Sequence, residues 1–273
     1  MVKRTAVITG ASSGIGAALA RKLGSEGWNL VLAARRQREL ELVASEAGGA
    51  LPVVADVTRR DDVQRLLDEA LKKFGNVNVW INNAGRGIGK RVLEVTEGEF
   101  DEITAVNLKS VFYGIQVAIP YFQAKWEGHL INISSFLGRV PLVTFRSVYN
   151  AAKAAVNVLT ANLRMDLRRT HPGVHVSLVM PGTVKTEFAA NALGGTPAVP
   201  PGGRSPMIPQ TPEEVAELAA FLASDGAGYI TGQVIGINTL VVQNTNDGNI
   251  AEGLGFAVPS STVSAVVQKL IAQ

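Results

Sequence analysis

Tyr149-Asn150-Ala151-Ala152-Lys153 sets a phenol and an ammonium four residues apart, at the start of a stretch with helical periodicity, Val148–Arg169. That spacing puts both side chains on one helix face. A free phenol ionises near pH ~10 and is a poor base at neutral pH. A cation beside it favours the phenolate and brings the group towards the range useful for passing protons. Such a pair on a helix is common and often only packs, so its setting matters. Upstream, Ile131-Asn132-Ile133-Ser134-Ser135 ends one predicted strand and Asn82-Asn83-Ala84-Gly85 ends another. Ligands of open parallel sheets bind at these carboxyl ends.

A second chemistry-bearing segment is Thr9-Gly10-Ala11-Ser12-Ser13-Gly14-Ile15-Gly16, between the first predicted strand and the first helix. Glycine lets the chain turn tightly there and lets a pyrophosphate approach the backbone. The helix start then offers unpaired N–H groups and a positive dipole to the anion. The spacing is G-x-x-x-G-x-G, not the commoner G-x-G-x-x-G of dinucleotide folds. At the end of the next strand an NAD site carries an acid for the ribose 2′-hydroxyl. Here that place reads Ala33-Ala34-Arg35-Arg36. A carboxylate would repel a 2′-phosphate, whereas a guanidinium fork grips it, so NADP(H) is the expected cofactor, with Arg35 the favoured contact. Asp56, in Ala55-Asp56-Val57, either accepts a hydrogen bond from the adenine amino group or caps the chain near Thr58, and position alone leaves both open.

The elements that must hold these residues follow from short apolar runs alternating with amphipathic stretches. Strands are expected at Thr5–Ile8, Leu30–Ala34, Leu51–Ala55, Val77–Ile81, His129–Ser134, His175–Met180 and Gln233–Ile237. Helices are expected at Ile15–Glu26, Arg38–Ala47, Asp61–Phe74, Phe100–Ile119, Val148–Arg169 and Pro212–Ala223. Strands apolar throughout, each followed by a helix, mean a parallel sheet covered on both faces. The fold class is α/β, a three-layer doubly wound Rossmann fold with a seven-stranded parallel sheet. Gly194–Pro209 is rich in glycine and proline, and with Leu193, Val199, Met207 and Ile208 suggests a lid over an apolar ligand.

The motifs together resemble the short-chain dehydrogenase/reductase family over residues 1–238. They are Thr9–Gly16, Asn82–Gly85, Asn107, Ser135, Tyr149-x-x-x-Lys153 and Pro181-Gly182, in family order. The resemblance implies that Tyr149 donates the proton in reduction and removes it in oxidation. Lys153 lowers the Tyr149 pKa and holds the nicotinamide ribose. It further implies that Ser135 bonds the substrate oxygen and that Asn107 supports a water behind Lys153. Asn83, Ala84 and Gly85 border the cofactor, and Thr183 and Thr186 meet its carboxamide. Ser135 precedes Tyr149 by fourteen positions, more than is usual, and Ser134 is the fallback. Neighbours at a strand end alternate faces, so only one of the two points at the substrate. The implied substrate is a small carbonyl or alcohol, apolar in character, and the implied assembly a homo-oligomer, a dimer or altered tetramer.

Residues 239–273 form a separate extension. Gly232–Asn238 and Gly255-Phe256-Ala257-Val258-Pro259 resemble the end of the trypsin-like domain of high-temperature-requirement serine proteases. No protease activity is expected, since Ser224-Asp225-Gly226-Ala227-Gly228 stands where the nucleophile motif would be. A β-hairpin strand at Leu254–Val258 and a helix at Thr262–Ala272, capped by Ser260, would cover the sheet edge. The remaining composition excludes several classes. There are no cysteines, hence no disulfide or thiolate metal site. His171 and His175 flank Pro172-Gly173 and share no helix face, so no metal is expected. The formal charge of +3 comes from scattered basic residues, which does not suggest nucleic acid. No run reaches the ~18 apolar residues of a membrane span, and the start lacks a signal sequence, so a cytoplasmic protein is expected. Competing readings are a catalytically silent cofactor-binding scaffold and a recombined or engineered chimera.

Overall fold

The computed structural model describes residues 3–195, 209–227 and 232–235. Strand β1 (Thr5–Thr9) is buried along its whole length and feeds α1 (Gly14–Ser25). Then follow β2 (Asn29–Ala34), α2 (Gln37–Glu46), β3 (Leu51–Val54), α3 (Arg60–Phe74) and β4 (Val79–Asn82). The second half continues with α4 (Glu97–Thr104), a π-helical turn (Ala105–Lys109) and α5 (Ser110–Lys125). It closes with β5 (Gly128–Ile133), α6 (Ser147–Thr170), β6 (Val174–Met180), α7 (Pro212–Ala223) and β7 (Gly232–Ile235).

All neighbouring strands are parallel, in the order β3-β2-β1-β4-β5-β6-β7. Side chains of period two divide the core between two faces. Ile8, Leu32 and Ile81 pack with Leu19 and Leu23 of α1, Leu40 of α2 and Val215 of α7. Val7, Val31 and Trp80 pack oppositely, with Leu66 of α3 and Phe122 of α5. Strand order reverses between β1 and β4, and the chain leaves the two strands in opposite directions. A crevice opens there at their carboxyl ends.

Two helix boundaries differ from expectation for identifiable reasons. The helix expected from Phe100 starts at Glu97, because Thr96 and Glu99 form a reciprocal capping box. Its expected end before Pro120 is passed by a further turn to Lys125. The end is set instead by Trp126 in the left-handed region (φ 59°), where Glu127 N–H donates to the Phe122 carbonyl at 3.2 Å. The expected strand, helix and cap between residues 239 and 273 lie outside the described residues, as does most of the Gly194–Pro209 loop.

Candidate active site

A cavity of about 570 Å³ fills the crevice, a volume typical of small-molecule sites. At one end it is floored by the turn after β1, where Gly10 and Gly14 take φ of 67° and 56°. Side chains are excluded there by contact as well as by conformation. A Cβ on Gly10 would lie 2.7 Å from the Ala84 Cα, and one on Gly16 would lie 2.4 Å from the Gly10 carbonyl oxygen. Such a bare backbone cradle at a helix start is what a dinucleotide pyrophosphate requires, so these residues fit that group.

Asn83 holds the cradle in shape. Its Nδ2 donates to the carbonyls of Thr9 (2.9 Å) and Gly10 (3.2 Å). Thr9 Oγ1 accepts from the backbone N–H groups of Asn83 (3.0 Å) and Ala84 (3.1 Å). Two loops from non-consecutive strands are thereby tied together. Arg36 crosses the turn, its Nη2 donating to Ser13 Oγ at 2.8 Å and to Ser12 Oγ at 3.1 Å. Arg35 also lines the cavity and is exposed. Asp56 Oδ1 accepts from Thr58 N–H (3.0 Å) and Thr58 Oγ1 (2.7 Å). The local cap and a cavity-lining position thus coexist in one side chain, with Val57 beside it.

The other end gathers the proton-transfer candidates. Tyr149 is buried, and burial pushes its phenol up from the ordinary value, opposed by a hydrogen bond with Ser135 and by the charge of Arg146. Lys153 Nζ donates to the Ile133 carbonyl at 2.9 Å and stands 5.8 Å from the Tyr149 ring centroid. Burial alone pulls this ammonium down to about 8. Lys153 thus stands between the strand carbonyl and the phenol ring, and Arg146 is a second cation beside the phenol. A raised pKa keeps the phenol protonated at neutral pH, the form of a proton donor.

The serine ambiguity resolves as strand alternation requires. Ser134 Oγ donates to Asn157 Oδ1 (2.5 Å) and to the Lys153 carbonyl (3.2 Å), facing α6. Ser135 is the partner of Tyr149, and its Oγ also accepts from Leu137 N–H at 3.2 Å. Asn107 is fully buried in the π-helical turn and does not line the cavity. Its Nδ2 donates to the Arg86 carbonyl (2.8 Å) and its Oδ1 accepts from Arg86 N–H (3.1 Å), which fixes the loop after β4. Gly85 lies between the two polar groups, since a Cβ there would sit 3.0 Å from Asn107 Oδ1 and 3.7 Å from Lys153 Nζ.

After β6, Pro181, Gly182, Thr183 and Thr186 line the cavity as expected of residues meant to meet a cofactor. The same stretch carries Phe188, whose ring meets that of Tyr149 edge-on, with centroids 5.4 Å apart. Leu193 closes the wall through backbone bonds with Gly87 and Gly89. Sequence reasoning missed Arg146, Arg86, Leu137 and Phe188 in this lining. Arg146 had a signal, a cation three residues before the tyrosine and so on its face. Among the described residues there is no cluster of three or more His, Asp or Glu able to hold a metal. No helix there is long and apolar enough to cross a membrane.

Residues 4–194 match the model of the short chain dehydrogenase family, and the chain belongs to that family of oxidoreductases. It is 37% identical over 242 residues to 3beta-hydroxysteroid dehydrogenase 1 of Eggerthella lenta, covering 85% of this chain and 91% of the relative. An uncharacterized oxidoreductase of Mycobacterium bovis is 34% identical over 241 residues, covering 86% and 95%. Among solved structures, 3-ketoacyl-(acyl-carrier-protein) reductase from Brucella melitensis, complexed with NADH, superposes with a TM-score of 0.77 at 30% identity, covering 87% of this chain and 98% of that one.

Proposed function

We propose that this chain reduces a ketone or aldehyde with NADPH, or oxidises the corresponding secondary alcohol, with Tyr149 as the group that moves the proton. The observation that carries the reading is a buried Tyr149 phenol that lines, with Ser135, the same cavity as the glycine cradle. When bound, the dinucleotide supplies or accepts the hydride. The protein's own part is orientation, exclusion of water and a placed proton. Ser135 and Tyr149 together hold a carbonyl oxygen, and Tyr149 gives it the proton as the carbon is reduced. Lys153, with Nζ 5.8 Å from the centroid of the Tyr149 ring, would hold the ribose hydroxyls of a bound dinucleotide. Arg36 and Arg35, with no carboxylate ending β2, support the 2′-phosphate and hence NADPH over NADH. Residues Ser12, Ser13, Ile15, Asp56, Val57, Thr183 and Thr186 complete the cofactor's contacts in this reading.

Self-association belongs to the same proposal, supported by exposed Phe112 on α5 and exposed Val158 and Met165 on α6. The test of function is NADPH oxidation against a carbonyl panel by the wild type and Tyr149→Phe. The variant is expected to lose about 100-fold or more in kcat/KM. Equal rates would end the assignment to Tyr149, and no turnover by either protein would leave the silent-scaffold reading.

A further inference from the structure

Among the charged side chains that line the cavity, Arg146 is buried, whereas Arg86 is half-buried and Glu187 exposed. Arg146 is only 8% exposed and lines the cavity beside Tyr149. A guanidinium taken out of water is costly unless an anion or a full set of acceptors answers it. One acceptor is present, the Ile88 carbonyl, at 3.0 Å from Nη1. The guanidinium carbon also stands 5.5 Å from the Phe145 ring centroid. Nearby cations are matched by carboxylates, Arg86 by Glu102 and Lys90 by Glu99. Arg146 has no ion pair among the described residues.

The surroundings make room for this cation. A Cβ on Gly87 would lie 2.8 Å from Arg146 Nη1 and 2.9 Å from Phe188 Cε1, so glycine there leaves both side chains where they stand. The Arg146 backbone is fixed by a parallel bridge to Lys90. Arg146 occupies the position just before α6, three residues before Tyr149, and both side chains line the cavity.

We infer that the cavity takes carbonyl substrates that carry a carboxylate, and that Arg146 is the specificity residue that receives it while the carbonyl oxygen sits at Tyr149 and Ser135. This rests on the reductase reading above. The planar fork of arginine matches a carboxylate with two parallel hydrogen bonds. With the guanidinium withdrawn from solvent, that attraction is weakly screened. Leu137 and Phe188 offer apolar contact to the remainder, so the class is an oxo acid with a hydrocarbon body.

The test compares 2-, 3- and 4-oxo acids of five to eight carbons with their methyl esters, in the wild type, Arg146→Met and Arg146→Lys. The wild type is expected to favour at least one acid over its ester by about tenfold to a hundredfold in kcat/KM, the worth of a charge-assisted hydrogen bond. In Arg146→Met that ratio falls to about one or below, and Arg146→Lys lies between. If Arg146→Met lowers acid and ester alike, Arg146 only tunes the phenol, and the inference is overturned. A wild type with no preference overturns it too. To separate this from failure of the reductase reading, binding is measured in Tyr149→Phe, where turnover plays no part. Calorimetric titration with the hydroxy acid and its ester, in the presence of NADP⁺, is expected to show the same preference, lost on adding Arg146→Met. Equal binding of acid and ester there refutes the carboxylate seat whatever the activity assay finds.

Discussion

Lowering the pH should destabilise this protein through a single imidazole before its carboxylates titrate. His129, in β5, is 7% exposed, with Nε2 2.9 Å from Ser177 Oγ and its ring edge-on to His175. Burial, then the charges of His175 and Arg4, pull its pKa from 6.5 to about 3, while a hydrogen bond with the Leu222 backbone works the other way. In the unfolded chain the same ring takes a proton near pH ~6.5. Because the folded value is depressed, this contribution is fully present above about pH 6.5 and is lost as pH falls towards about 3. The slope approaches about 1.4 kcal/mol per pH unit, and about 2 kcal/mol has gone by pH 5. That is a large part of the ~5–15 kcal/mol that holds a typical domain together. Asp62 is held below its usual range chiefly by the Asp56 backbone N–H, and Glu99 chiefly by Lys90. Both lose their contributions in the same direction, but in the lower window where carboxylates titrate. Urea unfolding followed by circular dichroism at pH 7, 6 and 5, on the wild type and His129→Gln, isolates the effect. The wild type should lose about 2 kcal/mol more than the variant between pH 7 and 5. Parallel curves would refute the reasoning, as would an NMR titration of native His129 centred near its free value.

Two further outcomes concern the cleft. Gly16→Ala would place a methyl 2.4 Å from the Gly10 carbonyl oxygen and 2.5 Å from Asn83 Nδ2. NADPH titration followed by fluorescence should give a Kd raised about tenfold or more, and an unchanged Kd would show that the cradle does not grip the dinucleotide. Since burial brings Lys153 to about 8, its charge is present below that pH and lost above it. The kcat/KM for NADPH should therefore fall as pH rises through about 8, with the fall displaced upward in Lys153→Arg. A wild-type profile flat to about pH 9 would mean that this charge is not needed.

Most element positions were legible because each strand is an apolar run bounded by glycine or polar residues, and β1 to β6 lie within about two residues of their expected limits. What escaped was chemistry that depends on partners far away in the chain. Asn83 was read as a cofactor border and does line the cavity, but its amide also binds the Thr9 and Gly10 carbonyls, over seventy positions earlier. Ser134 and Ser135 are indistinguishable as letters, and only the pleat at the end of β5 turns one to Asn157 and the other to Tyr149. The Tyr–Lys spacing predicted a shared face correctly. It could not reveal that the Ile133 carbonyl would accept from the ammonium, or that an arginine three residues upstream would stand as a second cation beside the phenol. The early start of α4 was visible as Thr96-x-x-Glu99, a cue that the search for apolar periodicity passes over.

The knot formed by Thr9 and Asn83 has a mechanical corollary. It pins the two halves of the doubly wound sheet to each other at their seam, which stiffens the base of the cleft. The facing wall is built by residues of the stretch Pro181 to Asn191. That wall is held by the Leu193 bonds to Gly87 and Gly89, and beyond β6 by the Val184–Gln210 bridge, so it depends on a few backbone contacts where the base depends on the sheet itself.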